Sequence, residues 1–119
     1  MKYMLLIHQG DAPTPRDPEA WATLPEQEQK AVYAAYQEIR EIPGVTPGLA
    51  LQEPDTATTV QVKDGRTLTT DGPFAEVKEA IGGYLIYEAD DLDAAIELAA
   101  KVPAARLGGA VEVRPIEEW

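Results

Sequence analysis

Lys2-Tyr3-Met4-Leu5-Leu6-Ile7-His8 is the stretch on which the fold turns. So short an apolar run, followed at once by Gly10, Asp11, Pro13 and Pro15, reads as a buried strand and not as a helix. Side chains alternate across a strand, so Tyr3, Leu5 and Ile7 point one way and Met4 and Leu6 the other. Both sets are apolar, and such a strand needs cover on two sides. Ile81 to Glu88 has the same property, with Leu85 and Tyr87 set against Tyr84 and Ile86. Gly82-Gly83 at its start permits close approach of another backbone.

Outward from these strands, Gln9 to Ala22 is rich in Pro and Asp and reads as an irregular connection. Thr23-Leu24-Pro25-Glu26 has capping-box spacing, and Val32, Ala35, Tyr36 and Ile39 follow at helical spacing until Pro43-Gly44. A first helix is predicted from about Leu24 to Glu41. Pro43 to Asp55 carries prolines and glycines without periodicity and reads as a long loop, functional or mere tether. Thr58 to Lys63, the Asp64-Gly65 pair and Arg66 to Thr70 form a hairpin signal with a type I′ turn. Asp90 or Asp91 caps a second helix with a stripe of Leu92, Ala95, Ile96 and Ala99, ended by Pro103. After Gly108-Gly109, a last strand runs from Ala110 to Ile116, with Val111 and Val113 on one face and Glu112 and Arg114 on the other.

This order predicts one α+β domain over residues 1–119. It is a ferredoxin-like βαββαβ unit with an extra hairpin strand, an antiparallel sheet carrying two helices on one face. The other face of such a sheet is wet in a monomer, yet two strands are apolar on both faces. A symmetric homodimer with its sheets face to face resolves the conflict and encloses a small cavity between sheet and loops.

Composition narrows the function. A chain of 119 residues, 45% hydrophobic and 26% charged, has room for one core. Ten Lys+Arg against 21 Asp+Glu give a net charge of −11, which repels polyanions and argues against nucleic acid and anionic membrane as partners. The absence of cysteine removes disulfides, thiolate nucleophiles and thiolate metal sites, and a single histidine, His8, makes a His-rich metal site implausible. Met4 to Ile7 is far shorter than a signal-peptide core or a membrane span, so a soluble cytoplasmic protein is expected. The sequence has no phosphate-binding glycine loop, dinucleotide fingerprint or serine elbow, and no bound cofactor is indicated.

The residues with chemical potential concentrate in Asp71-Gly72-Pro73-Phe74-Ala75-Glu76-Val77-Lys78-Glu79. Asp71 can accept backbone amides in an Asx-type turn, with Pro73 stiffening the loop and Phe74 plugging the core edge. Alternatively Asp71 is a general base at a cavity mouth, with Phe74, Glu76, Lys78 and Glu79 at the ligand and the Glu76–Lys78 pair orienting it. His8 ends the first strand, where it can face the core or the cavity, and its imidazole suits proton transfer. Tyr3, Tyr84 and Tyr87 either lend hydroxyls to a pocket or simply pack. Glu112 and Arg114 share a face and can pair, or Arg114 can bind a ligand carboxylate.

Three segments, in order, carry a resemblance that covers essentially the whole chain: Met1 to Ile7, Asp71 to Glu76 followed by Lys78-Glu79 and Gly82-Gly83-Tyr84, and Val111 to Pro115. With these the sequence resembles the YCII-related, or DGPF-domain, proteins. The resemblance implies a ferredoxin-like subunit that forms a dimeric α/β-barrel, and it implies no particular reaction. Related YCII proteins have been proposed as enzymes with a His/Asp pair in a pocket. By position, Asp71, Glu76, Lys78 and Glu79 carry over, whereas DGPF relatives often have an aromatic residue where this strand ends in His8. Some members are encoded beside sigma factors of the extracytoplasmic-function type. Two functions follow. One is a cofactor-independent enzyme in which Asp71, helped by His8 or Tyr84, moves a proton on a small metabolite. The other is a non-catalytic ligand-binding or accessory module linked to sigma-factor-dependent transcriptional regulation through a protein partner.

Overall fold

β1 (Lys2–His8) lies inside a four-stranded sheet, antiparallel to β5 (Ile81–Glu88) on one edge and to β6 (Ala110–Pro115) on the other. β2 (Val45–Ala50) pairs antiparallel with the far edge of β5, giving the order β2-β5-β1-β6. The computed structural model describes residues 1–71 and 81–118. Mixed α+β structure with antiparallel sheets in this order is consistent with a ferredoxin-like α+β fold.

The helices gather on the face of the sheet that carries Tyr3, Leu5, Ile7 and Leu85. These four are buried against Ile39 of α2 (Glu26–Glu41) and Ala95, Leu98 and Ala99 of α3 (Leu92–Ala100). Val102 and Ala104, at the start of the short α4 (Pro103–Arg106), complete the cluster. Leu5 and Val102 are fully inaccessible, so the core is centred under β1. Among the described residues no helix is long and apolar enough to cross a membrane.

Several expectations need correction. The loop read over Pro43 to Asp55 contains β2, an edge strand whose side chains are mostly exposed and which therefore shows no alternation. Pro47 is tolerated because an edge strand has one side free of ladder bonds. Gly48 is required because a Cβ there would collide with the carbonyl oxygen and ring of Tyr84. The connection from Gln9 to Ala22 holds α1 (Pro18–Ala22), capped where Asp17 accepts the Ala20 N–H at 3.3 Å. Thr23 donates its hydroxyl to the Ala20 carbonyl at 2.6 Å and so closes α1, leaving α2 to begin at Glu26 behind Pro25 without a side-chain cap.

The second helix is also turned relative to the expected stripe. Asp91 caps α3 by accepting the Ala94 N–H at 2.9 Å. The buried positions are Ala95, Leu98 and Ala99, while Leu92 and Ile96 remain 49% and 50% exposed. Small Ala95 and Ala99 let the helix approach the sheet and carry Leu98 into the core, which turns Leu92 and Ile96 outward. Pro103 does more than end this helix, since it opens α4 at the first helical position. Lastly, the hairpin of β3 (Thr58–Lys63) and β4 (Arg66–Asp71) does not extend the main sheet but forms its own two-stranded sheet. Asp64 and Gly65 at its turn both take positive φ, 53° and 74°, as the type I′ reading requires.

These placements separate core from appendage. Leu5→Ala is expected to cost about 3 kcal/mol in urea unfolding. Val60→Ser, on an exposed hairpin position, is expected to stay within about 0.5 kcal/mol of the native chain. Equal effects would contradict the assignment.

Candidate functional site

The face of the sheet turned away from α2, α3 and α4 collects residues from three strands. Met4, Leu6 and His8 of β1 lie beside Tyr84 and Ile86 of β5 and beside Glu112 and Arg114 of β6, by the pairings Leu6 with Tyr84 and Glu112, and Met4 with Ile86 and Arg114. The four apolar side chains are half-buried. His8 Nε2 lies 3.1 Å from Glu112 Oε1, a diagonal cross-strand contact, and Glu112 Oε2 lies 3.7 Å from Arg114 Nε. The His8 side chain keeps only 16% of its surface exposed, and its Nδ1 is buried with no partner among the described residues. When the neutral ring donates Nε2–H to the Glu112 carboxylate, Nδ1 holds a free lone pair. A carboxylate on one nitrogen and a vacant lone pair on the other is the arrangement of an oriented general base.

His8 thus faces away from the helices, and the residue it meets is Glu112. Asp71 is the last residue of β4, paired in register with Thr58, but its side chain lies outside the described structure. Phe74, Glu76, Lys78 and Glu79 also fall outside the described residues. Tyr84 lies opposite Leu6 with its ring against Gly48, and Arg114 pairs with Glu112. Tyr3 is buried in the core and Tyr87 packs against it. Sequence places His8 and Glu112 on strands but not in register, and the pair follows only from the register of β1 against β6.

A cavity of about 340 Å³ lies on the opposite, helix-bearing side of the sheet. It is bounded by α2, by the β2–β5 edge, by residues 12–16 and by α4. The cavity expected between paired sheets is on the other face, so this one is a separate space. Of the residues singled out from sequence as site candidates, Tyr84 alone lines it among the described residues. Sequence reading missed Arg16 and Arg40 and took Tyr36 only for its helical spacing. Arg16 donates to the Leu51 carbonyl and brings Nε within 3.8 Å of Glu53, strapping the segment after β1 to the end of β2. Arg40 has no ion pair or hydrogen bond among the described residues. Burial pushes the Tyr36 hydroxyl above the ordinary phenol value of 10.0.

The sign of that shift fixes a pH dependence. Burial favours the neutral phenol, so the contribution of Tyr36 to stability is intact below the unfolded value and drains away as pH rises through the higher folded one. In an alkaline absorbance titration, one of the five tyrosines is expected to ionise late, and Tyr36→Phe should remove that late component. A Tyr36→Phe curve that keeps it would assign the shift elsewhere.

Comparison with known proteins bears on the whole chain. An uncharacterized protein of Rhizobium meliloti (strain 1021) is 28% identical over 118 residues, covering 98% of this chain and 92% of the relative. The family model described as YCII-related domain matches residues 1–119, strands β1 and β6 included. The resemblance read from the opening strand, the Asp71–Phe74 motif and the closing strand therefore holds, and the protein belongs to the YCII-related domain family.

Proposed function

We propose that this chain is a small, cytoplasmic, single-domain enzyme that works without a cofactor, performing acid/base chemistry on a small metabolite with His8 as the proton-transferring group. The reading is carried by one observation: the His8 imidazole is held by Glu112 at 3.1 Å on a half-buried sheet face, with Nδ1 unpartnered. A turn of the His8 ring brings Nδ1, buried in the resting structure, to the substrate; it takes a proton, the Glu112 carboxylate stabilises the imidazolium that forms, and the same nitrogen returns the proton to the product. Asp71, carried over from the family motif, is the second proton-transfer candidate.

The site is completed by a second copy of the chain in a dimeric α/β-barrel. Met4, Leu6, Tyr84 and Ile86 give the open face an apolar centre, and His8, Glu112 and Arg114 lie along its β6 side. Cations and carboxylate on one face make it self-complementary under a two-fold axis. Covering it excludes water from His8 and strengthens the electrostatic grip of Glu112.

A second reading, a non-catalytic ligand-binding module, is favoured by the cavity under α2, which lies on the far side of the sheet from His8. Its extension to sigma-factor-linked regulation rests on the family resemblance.

Native mass spectrometry should give twice the 12.9 kDa chain mass, and Leu6→Asp should halve it. A native monomer would remove the dimer. In deuterated water, the native protein should catalyse solvent-hydrogen exchange into a C–H position of a small carbonyl acid recovered from the purified protein. His8→Gln should slow that exchange about 100-fold or more with unchanged circular dichroism. An undiminished rate in His8→Gln would rule out His8 as the base.

A further inference from the structure

The cavity opens to solvent on one side, and its volume of about 340 Å³ falls within the roughly 300–1,000 Å³ of small-molecule pockets. Small residues keep it open, since Ala12, Ala50, Gly82, Gly83 and Ala104 all line it. Its polarity is ordered along one face of α2. Val32, Tyr36 and Arg40 follow at intervals of four, so they stack on a single helix face, and all three line the cavity. Val32 is buried, Tyr36 half-buried and Arg40 exposed. At a rise of about 1.5 Å per residue, Arg40 lies about 12 Å along the axis from Val32. In a chain with 21 acidic residues, no Asp or Glu among the described residues lines the cavity, whereas Arg16 and Arg40 do.

We infer that this cavity binds a small amphipathic monocarboxylic acid, with its aliphatic or aryl body among Ile7, Val32, Ile39 and Leu85 and its carboxylate at the mouth against Arg40. The division of labour between the two arginines follows from their partners. Arg16 is engaged with the Leu51 carbonyl and Glu53 and closes the wall, while Arg40 has its full donor set free among the described residues. The Tyr36 hydroxyl, one turn inside Arg40, offers a neutral donor to the same head group, and its reluctance to ionise keeps it a donor at any physiological pH. Among the described lining residues a cationic ligand would meet two guanidinium groups and no carboxylate, and an apolar ligand without a head group would leave Arg40 unused. A carboxylate satisfies both ends.

Isothermal titration of the native protein with phenylbutyrate and with phenylbutanol, which share one apolar body, tests the inference. The acid should bind saturably and at least about ten-fold more tightly than the alcohol. Arg40→Gln should bring the acid to the level of the alcohol and leave the alcohol unchanged. Arg106→Gln removes an equal charge from a residue that pairs with Glu28 and does not line the cavity, and should leave acid affinity within about two-fold, since exposed charges at that range are screened. Absence of saturable acid binding, equal affinity for acid and alcohol, or native affinity in Arg40→Gln would each overturn the site. The site stands apart from the His8 reading. Loss of solvent-hydrogen exchange with acid binding retained counts against the His8 chemistry only, and failure of acid binding with exchange retained counts against this cavity only.

Discussion

β1 is hydrogen-bonded along both edges and apolar on both faces, and the other elements are arranged to satisfy it. Tyr3, Leu5 and Ile7 are covered by α2, α3 and α4, which bury them almost completely. Met4 and Leu6 lie beside their cross-strand neighbours Tyr84, Ile86, Glu112 and Arg114, and among the described residues they stay half-buried. The entry of β6 is set by Gly109, where a Cβ would collide with the carbonyl oxygen of His8 and whose N–H donates to the Ala104 carbonyl at 2.8 Å. That close pass fixes the register in which Glu112 lies diagonally across from His8. The dyad is thus a consequence of strand pairing, reached through backbone positions that are themselves not chemical.

The parts of the fold legible in sequence are those in which one chemical pattern maps onto one geometry. Short apolar runs gave β1 and β5, because a strand covered on both faces needs apolar residues throughout, and the alternation of Val111 and Val113 with Glu112 and Arg114 gave β6. The Asp64-Gly65 pair gave the hairpin turn, because few other residues accept two successive positive φ angles. β2 was illegible because an exposed edge strand with Pro47 and Gly48 has neither alternation nor propensity, and its place is set by pairing with β5. Thr23 was misleading for a different reason. Its hydroxyl donates to the Ala20 carbonyl at the end of α1, so the capping-box spacing toward Glu26 goes unused and α2 starts behind Pro25. Similarly, Leu92 and Ile96 are as apolar as Leu98, and only the closeness allowed by Ala95 and Ala99 decides which of them turns inward.

The site divides along the same line. His8 and Glu112 could be nominated individually from residue type, and what joins them is register, a tertiary quantity. Arg40 carried no signal at all, since an exposed cation in the last turn of a surface helix is ordinary. Its meaning comes from what surrounds it: a cavity beside it, Tyr36 one turn away, and no acid among the described residues of the wall. In a chain of net charge −11, the position of a few cations says more than their number.

Both candidate regions depend on a single strand. β5 sends Leu85 toward the cavity and Tyr84 and Ile86 to the open face, and Gly83 lines the cavity between Tyr84 and the register irregularity opposite Ile7 and His8. A slip of one residue in β5 would exchange the two sets, turning the Tyr84 side chain to the helix-bearing face and Leu85 out beside Leu6. The fold resists that slip at both edges of the strand. On the β2 side the Tyr84 ring and carbonyl fit only against a glycine, and on the β1 side the bulge at Ile7/His8 offsets the ladder where the chain leaves the sheet. An acid in the cavity and a proton-transfer step on the open face would therefore be served by residues held in place by one set of backbone constraints, and Gly48 is where a side chain would disturb both.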